Sequence, residues 1–160
     1  MSVIIRQYET KDFSALLALD EACFPPGIAY SKTMLRYFLT LPGSECLVAV
    51  DGKKIVGFIL SEENTTLGHI VTLDVAKTHR RHGAGTELLK ESEANMKFRG
   101  VRTVLIETAI TNDAGIAFWE RHGYRKEAVI KNYYPGRLDA FEMRKKFSGG
   151  RPPGRSSQTT

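Results

Sequence analysis

The run Arg80-Arg81-His82-Gly83-Ala84-Gly85-Thr86 sets two arginines, a histidine and two glycines between a strand-like and a helix-like segment. A loop there presents bare main-chain N–H groups at a helix N-terminus, where the helix dipole favours an anion. Gly83 and Gly85 let a phosphate approach the backbone closely. Lys77, Arg80 and Arg81 add positive charge at the same spot. The chemistry this suits is the cradling of a pyrophosphate. The pattern is neither G-x-x-x-x-G-K-[ST] nor G-x-G-x-x-G, so the two commonest nucleotide loops are excluded. A glycine-containing helix start with a solvated basic flank fits the same residues. Downstream, Glu107 puts a carboxylate in mid-strand among Val104, Leu105 and Ile106. Such a carboxylate lines a cavity, or else sits at an edge or in a salt bridge.

The elements that must position these groups follow from periodicity. Val3–Tyr8 reads as a strand. Thr10 is a candidate N-cap for a helix ending near Cys23, with Phe13, Leu16, Leu17, Leu19 and Ala22 on its buried side. Adjacent prolines and a glycine make Phe24–Tyr30 a loop, and Ser31 caps a second helix through Leu41. Cys46–Val50 and Lys54–Glu62 flank Asp51-Gly52 as a hairpin. Leu67–Val75 is the next strand. The helix Ala84–Phe98 turns Ala84, Leu88, Leu89, Ser92 and Met96 inward. Val101–Ile110 is a strand, with Val104 and Ile106 on one face and Leu105 and Glu107 on the other. A short helix Asn112–Arg121 ends at Gly123, and Lys126–Tyr133 and Ala140–Lys146 close the order β-α-α-β-β-β-α-β-α-β-β. The predicted class is α/β of the α+β kind: a mixed, mostly antiparallel sheet with helices on both faces.

At 160 residues, 42% of them hydrophobic and 26% charged, the chain suits one globular domain, placed at 1–147, with a polar disordered tail at 148–160. It has no apolar run long enough to span a bilayer and no basic segment leading an apolar stretch at its start. No membrane role and a cytoplasmic location are expected. Cys23 and Cys46 form neither a disulfide framework nor a metal spacing, so each reads as a small buried hydrophobe. Much of the net charge of +5 falls to the loop at Lys77–Arg81 and to Arg151 and Arg155 in the tail. Without a wider basic stripe, no nucleic-acid partner is expected.

The loop resembles the [RQ]-x-x-G-x-[GA] signature of the GNAT N-acetyltransferases, which binds the pyrophosphate of acetyl-coenzyme A. Three more segments follow in order: Leu105-Ile106-Glu107-Thr108, Asn112-Asp113-Ala114-Gly115-Ile116-Ala117-Phe118-Trp119-Glu120-Arg121-His122-Gly123-Tyr124, and Lys131-Asn132-Tyr133-Tyr134-Pro135. In order and spacing they are similar to the pattern of RimI-type protein N-terminal acetyltransferases. The resemblance runs from about Val3 to Phe147 and is densest from His69 to Tyr134.

This resemblance implies the GNAT fold, with a splay between the strand ending near Val75 and the strand carrying Glu107. It implies acetyl-CoA as cosubstrate and no metal. Coenzyme contacts would come from Leu73, Val75, the run Arg80–Thr86, Asn112 and Trp119, with a main-chain N–H at or near Val75 for the oxyanion. Glu107 would be the principal base. His69 would be a second candidate, at a position usually held by tyrosine; its ordinary pKa near ~6.5 suits the task, and a partly exposed strand-start histidine is the plainer alternative. His79 and His82 read as phosphate neighbours or solvated groups. Phe24, Pro25, Tyr30, Tyr133 and Tyr134 would clamp an extended peptide, although a sheet-end aromatic cluster has the same composition.

The implied partners are protein N-termini or peptides, a ribosomal protein among them, and the implied state is a monomer or weak dimer. One position departs from the pattern: Trp119 stands where the family has a tyrosine proposed as general acid. The thiolate then leaves unaided, another tyrosine such as Tyr124 acts, or the acceptor differs. Two other functions fit less of the chain: acetylation of a small amine, and a non-catalytic acyl-CoA-binding module.

Overall fold

Alternating and helical periodicities place the strands and helices in the order read above. In the computed structural model, which describes residues 2–147, that order is β1 (Ile4–Gln7), α1 (Phe13–Cys23), α2 (Lys32–Thr40), β2 (Ser44–Asp51), β3 (Lys54–Asn64), β4 (Leu67–Val75), α3 (Ala84–Phe98), β5 (Thr103–Ala109), α4 (Asp113–Arg121), β6 (Arg125–Tyr134) and β7 (Leu138–Lys146). The tail expected at 148–160 lies outside the described residues. The seven strands are ordered β1-β2-β3-β4-β5-β7-β6. β4 and β5 pair in parallel, while β1–β2, β2–β3, β5–β7 and β6–β7 are antiparallel, as the mixed class requires. Among the described residues, no helix is long and apolar enough to cross a membrane.

The chain forms two compact units. One holds the chain up to Glu62 together with Ile70–Asn95; the other holds Glu63–His69 and the chain from Met96 onward. The division runs through β4. Its ladder with β5 has three pairs, Leu67↔Thr103, Gly68↔Val104 and His69↔Leu105, all inside the second unit.

In the first unit, Leu16 of α1 and Leu35 of α2 pack with Cys46, Val48, Phe58, Leu60 and Val71. Leu16, Leu35, Val48, Phe58 and Leu60 lose all solvent contact, each worth ~1.5–3 kcal/mol of burial. Gly57, adjacent to Phe58, points the other way. A Cβ there would stand 3.2 Å from Leu88 of α3 and 2.9 Å from the carbonyl of Asp74. Helices therefore cover both faces of this half of the sheet, and glycine is what lets β3 lie so close to β4.

The start of α1 differs from expectation. Thr10 opens a single 3-10 turn rather than capping the helix; Glu9 is the N-cap of that turn, and the Asp12 carboxylate at its third position accepts from the main-chain N–H of Glu9 at 2.8 Å. The inward face of α1 is Phe13, Leu16 and Asp20, and Ala22 is exposed. On α3 the inward face is as read, with Ala84, Leu88, Leu89, Ser92 and Met96 buried.

Candidate active site

In the second unit the strand period decides which way Glu107 points. Val104 and Ile106 are buried on one face of β5; Leu105 and Glu107 alternate onto the other and are half-buried. His69, last of the three β4 residues paired with β5, lies on the neighbouring strand and sends Nε2 to within 2.7 Å of Oε1 of Glu107. Their side chains are 24% and 14% exposed, so the contact is largely shielded from water. With a proton on Nε2 donated to the carboxylate, the basic nitrogen of the imidazole is Nδ1. The two candidate bases are thus one hydrogen-bonded unit.

Tyr133 joins them through an irregularity in β6. Ladder pairing breaks between Ile130 and Tyr134. Within the break Asn132 adopts a left-handed φ of 54° and donates its main-chain N–H to Oδ1 of Asp139 at 2.9 Å. Such a bulge re-aims a side chain. Here the Tyr133 hydroxyl donates to Oε1 of Glu107 at 3.3 Å. Tyr134 packs edge-on against Tyr133, with ring centroids 4.8 Å apart. Burial, then the Glu107 charge, raises both phenols: that of Tyr133 far above its usual value and that of Tyr134 to about 12. Both stay protonated at neutral pH, and the Tyr133 hydroxyl serves as a donor. The resulting cluster is a carboxylate with two donors beside two aromatic walls, which can take a proton and bind a polar chain.

α4 is capped as expected: Oδ1 of Asn112 accepts from the N–H of Gly115 at 3.0 Å. Trp119 is 6% exposed and stacks edge-on with Phe118 at 5.1 Å and Tyr124 at 5.2 Å. Tyr124 is itself buried at 1% exposure, a poor position for an acid serving a leaving group.

The first unit carries the loop. Arg81 and Gly83 both have left-handed φ, 65° and 90°. A main chain in that conformation turns its N–H groups into a concave nest for an anion. A Cβ built on Gly83 meets nothing within 4 Å, so open space lies over the loop, as a phosphate would need. Arg81, His82 and Gly83 are exposed, Gly85 and Thr86 half-buried, and Ala84 buried at the start of α3. Leu73 and Val75 are half-buried on β4. Arg80 does not project freely: its Nε donates to the Val75 carbonyl at 2.9 Å, and its Nη2 lies 3.5 Å from Sγ of Cys23. His79 is neither solvated nor a loose neighbour. It is 9% exposed, bonded to Asp51 at 2.9 Å and Thr78 at 2.8 Å, and ties the loop to the β2–β3 hairpin.

Phe24 ends α1, its N–H donated to the Asp20 carbonyl at 3.1 Å, and Pro25 is exposed with its carbonyl accepting from Ile28 and Ala29. Tyr30 is fixed to β4: its hydroxyl donates to the Val71 carbonyl at 3.3 Å and its main-chain N–H to Oδ2 of Asp20 at 2.7 Å. The sequence reading missed Asp20 and Asp74, both buried carboxyls. The signal was available in Asp74, a carboxylate between Leu73 and Val75 near the end of a strand. Among the described residues no group of three or more His, Cys, Asp or Glu could hold a metal ion.

Residues 13–124 match the acetyltransferase (GNAT) family. The chain is 33% identical over 117 residues to N-alpha-acetyltransferase 30 of Schizosaccharomyces pombe, covering 70% of this chain and 78% of that protein. The ribosomal-protein-S18-alanine N-acetyltransferase of Escherichia coli superposes with a TM-score of 0.82 at 23% identity, over 91% of this chain and 94% of the other. A chain of the NatC complex, solved bound to Gag peptide and CoA, superposes with a TM-score of 0.79 at 23% identity, over 92% of this chain and 100% of the other.

Proposed function

Because the chain belongs to the acetyltransferase (GNAT) family, we propose that it moves an acetyl group from acetyl-CoA to the α-amine at the end of a protein or peptide. Direct attack suits the residues present. The amine nitrogen forms a bond to the thioester carbonyl carbon, the C–S bond breaks, and the coenzyme leaves as a thiolate. A thiol pKa near ~8.5 lets it depart without a strong acid. The amine must lose a proton, and its pKa near ~7.7–8 makes a base in the site worthwhile, worth ~100-fold or more.

The observation that carries this reading is the hydrogen bond between His69 and Glu107 with the Tyr133 hydroxyl on the same carboxylate oxygen. In it the imidazole and carboxylate act as one base, and Tyr133 and Tyr134 supply the acceptor side with aromatic surface and hydroxyl donors. The first unit supplies the coenzyme loop, Arg81–Thr86, whose left-handed Arg81 and Gly83 suit a pyrophosphate. Arg80 holds the Val75 carbonyl, which leaves the Val75 main chain in a fixed orientation for an oxyanion donor at or near it, and its exposed guanidinium would add charge beside the pyrophosphate. Leu73 would flank the pantetheine arm, Asn112 would serve both its helix and the coenzyme, and Trp119 would act through packing. Phe24, Pro25 and Tyr30 would complete the acceptor path. The names of the S. pombe and E. coli relatives, and the Gag peptide bound by the NatC complex, support a peptide end as acceptor.

The test is a peptide array with labelled acetyl-CoA, varying the first two residues. Peptides with an unblocked α-amine should be acetylated, and those with a blocked α-amine but free lysines should be poor substrates. Polyamines or aminoglycosides turning over faster than every unblocked peptide would move the acceptor to a small amine.

A further inference from the structure

Two carboxyl groups that the chemistry above does not use lie fully inside the first unit. Asp20 on α1 is 0% exposed and Asp74 on β4 is 1% exposed. Each has one oxygen committed: Oδ2 of Asp20 to the N–H of Tyr30 at 2.7 Å, and Oδ1 of Asp74 to the Thr72 hydroxyl at 2.6 Å. The other two oxygens, Oδ1 of Asp20 and Oδ2 of Asp74, are buried with no donor in reach. Two ionised carboxylates in that arrangement would be unpaired buried charges, which proteins do not tolerate without compensation. The Asp20 carboxyl is near enough to act on that of Asp74, and a hydrogen bond between the two orphaned oxygens would need a proton on one of them.

We propose that Asp20 and Asp74 share a single proton in a buried carboxyl–carboxylate bridge that fastens the Tyr30 loop to β4, making them a positioning pair for the acceptor side of the site. The positioning half rests on the reading that Tyr30 lines the acceptor path. The bridge explains why an acid, rather than an apolar residue, occupies the inward face of α1: one end holds the loop's main chain, and the other reaches the residue next to Val75. Together with the Tyr30 hydroxyl on the Val71 carbonyl, it fixes the loop to the strand at two points.

The surroundings favour the proton. Burial is the first cause that lifts the Asp74 carboxyl well above the usual carboxylate range, and Asp20 is the second; the Thr72 hydrogen bond and then the Arg80 guanidinium oppose them more weakly. Cys23 on α1 and Cys46 on β2 are the other titratable groups that feel Asp74, and both thiols are raised, first by burial. Neither places a positive charge at the bridge. The native state therefore holds a proton that the unfolded chain releases above the ordinary Asp range. Stability from this bond is full at low pH and is lost as pH rises through the raised value.

The experiment compares Asp20→Asn, Asp74→Asn and the double variant with the wild-type chain, by thermal melts from about pH 5 to about pH 9 and by steady-state kinetics with acetyl-CoA and a peptide whose α-amine is free. An amide at either position supplies the bridging donor without a titrating proton. Each single variant should therefore gain on wild type as pH rises, by a few degrees in Tm at the alkaline end. The double variant carries no titrating group at the bridge, and because the two positions share one bond its Tm change should not be the sum of the two single changes. Asp20→Ala, which removes the Tyr30 anchor, should raise the peptide KM several-fold while leaving coenzyme affinity in calorimetry unchanged.

Single variants that lose Tm equally at every pH, with additive losses in the double, overturn the shared proton. The expected melts together with an unchanged peptide KM in Asp20→Ala overturn the positioning role. A wild-type chain that acetylates amines but no peptide overturns the acceptor reading and the positioning role with it, while the melts alone still decide the bridge.

Discussion

Nε2 of His69 and Oε1 of Glu107 lie 2.7 Å apart across the three-pair parallel ladder of β4 and β5. Groups that share a hydrogen bond at that distance act as a unit, and their substitutions should not add. Glu107→Gln should lower kcat by ~100-fold or more, and His69→Phe should also lower it. The double variant should fall little below the worse single. Rates from initial-velocity assays under saturating acetyl-CoA decide this. Losses that multiply would mean that the two residues contribute independently rather than as one base.

The aim of Tyr133 depends on the carboxylate of Asp139, which holds the neighbouring Asn132. The Asn132 N–H donated to Asp139 is the first cause that holds the Asp139 carboxyl below its usual range; the Lys131 charge helps and desolvation opposes. A depressed native pKa gives stability that is present above the ordinary Asp range and is lost as pH falls through the native value. Asp139→Ala should free the bulge, raise the peptide KM, and flatten the acid limb of the Tm profile. Asp139→Asn keeps an accepting oxygen and should retain the KM while also losing the acid dependence. Equal KM in the alanine and wild-type chains would separate the bulge from acceptor binding.

The contrast between β5 and β6 shows what could be read from the residues. In β5, strict alternation put Glu107 opposite Val104 and Ile106, because the side-chain period of a strand is fixed by its backbone. In β6 no such rule applies at the site. Tyr133 reaches Glu107 through a break in the ladder held by a left-handed Asn132 and a carboxylate on the next strand, and a non-glycine residue at positive φ has no reliable sequence mark. Asp20 was missed for a related reason. Helical periodicity sorts residues by polarity, so it assigned Ala22 to the interior and passed over an acid that is buried because it is paired. His79 read as a loop neighbour because its partner, Asp51, is 28 residues away in the β2–β3 hairpin.

Gly83 separates backbone strain from ligand space. Its φ of 90° is one that a side chain rarely adopts, and a Cβ there meets no protein atom within 4 Å. Gly83→Val should lose ~1–2 kcal/mol of stability from the left-handed backbone and should also lose coenzyme affinity through the occupied space. Gly83→Asn accepts the left-handed region more readily, so it should recover most of the stability but not the affinity. Calorimetric titration of both variants with coenzyme A, beside their thermal melts, distinguishes the two effects. Wild-type affinity in a folded Gly83→Val chain would remove the pyrophosphate from this loop.

Trp119 occupies a position where a phenol would be the expected acid, yet it sits among rings, edge-on to Phe118 and Tyr124 and 6% exposed. An indole N–H does not release its proton to a thiolate, so Trp119→Tyr asks whether the reaction lacks an acid. If protonation of the leaving group limited turnover, the new phenol would raise kcat. The coenzyme thiolate is a good leaving group at neutral pH, and the smaller ring would lose contacts with both neighbours while bringing a hydroxyl into an apolar setting. We therefore expect kcat unchanged or slightly reduced, together with a loss of ~0.5–3 kcal/mol in stability, measured by denaturant unfolding beside the rate assay. A large rise in kcat would show that proton delivery to sulfur is rate-limiting here and that packing is not why tryptophan stands at this position.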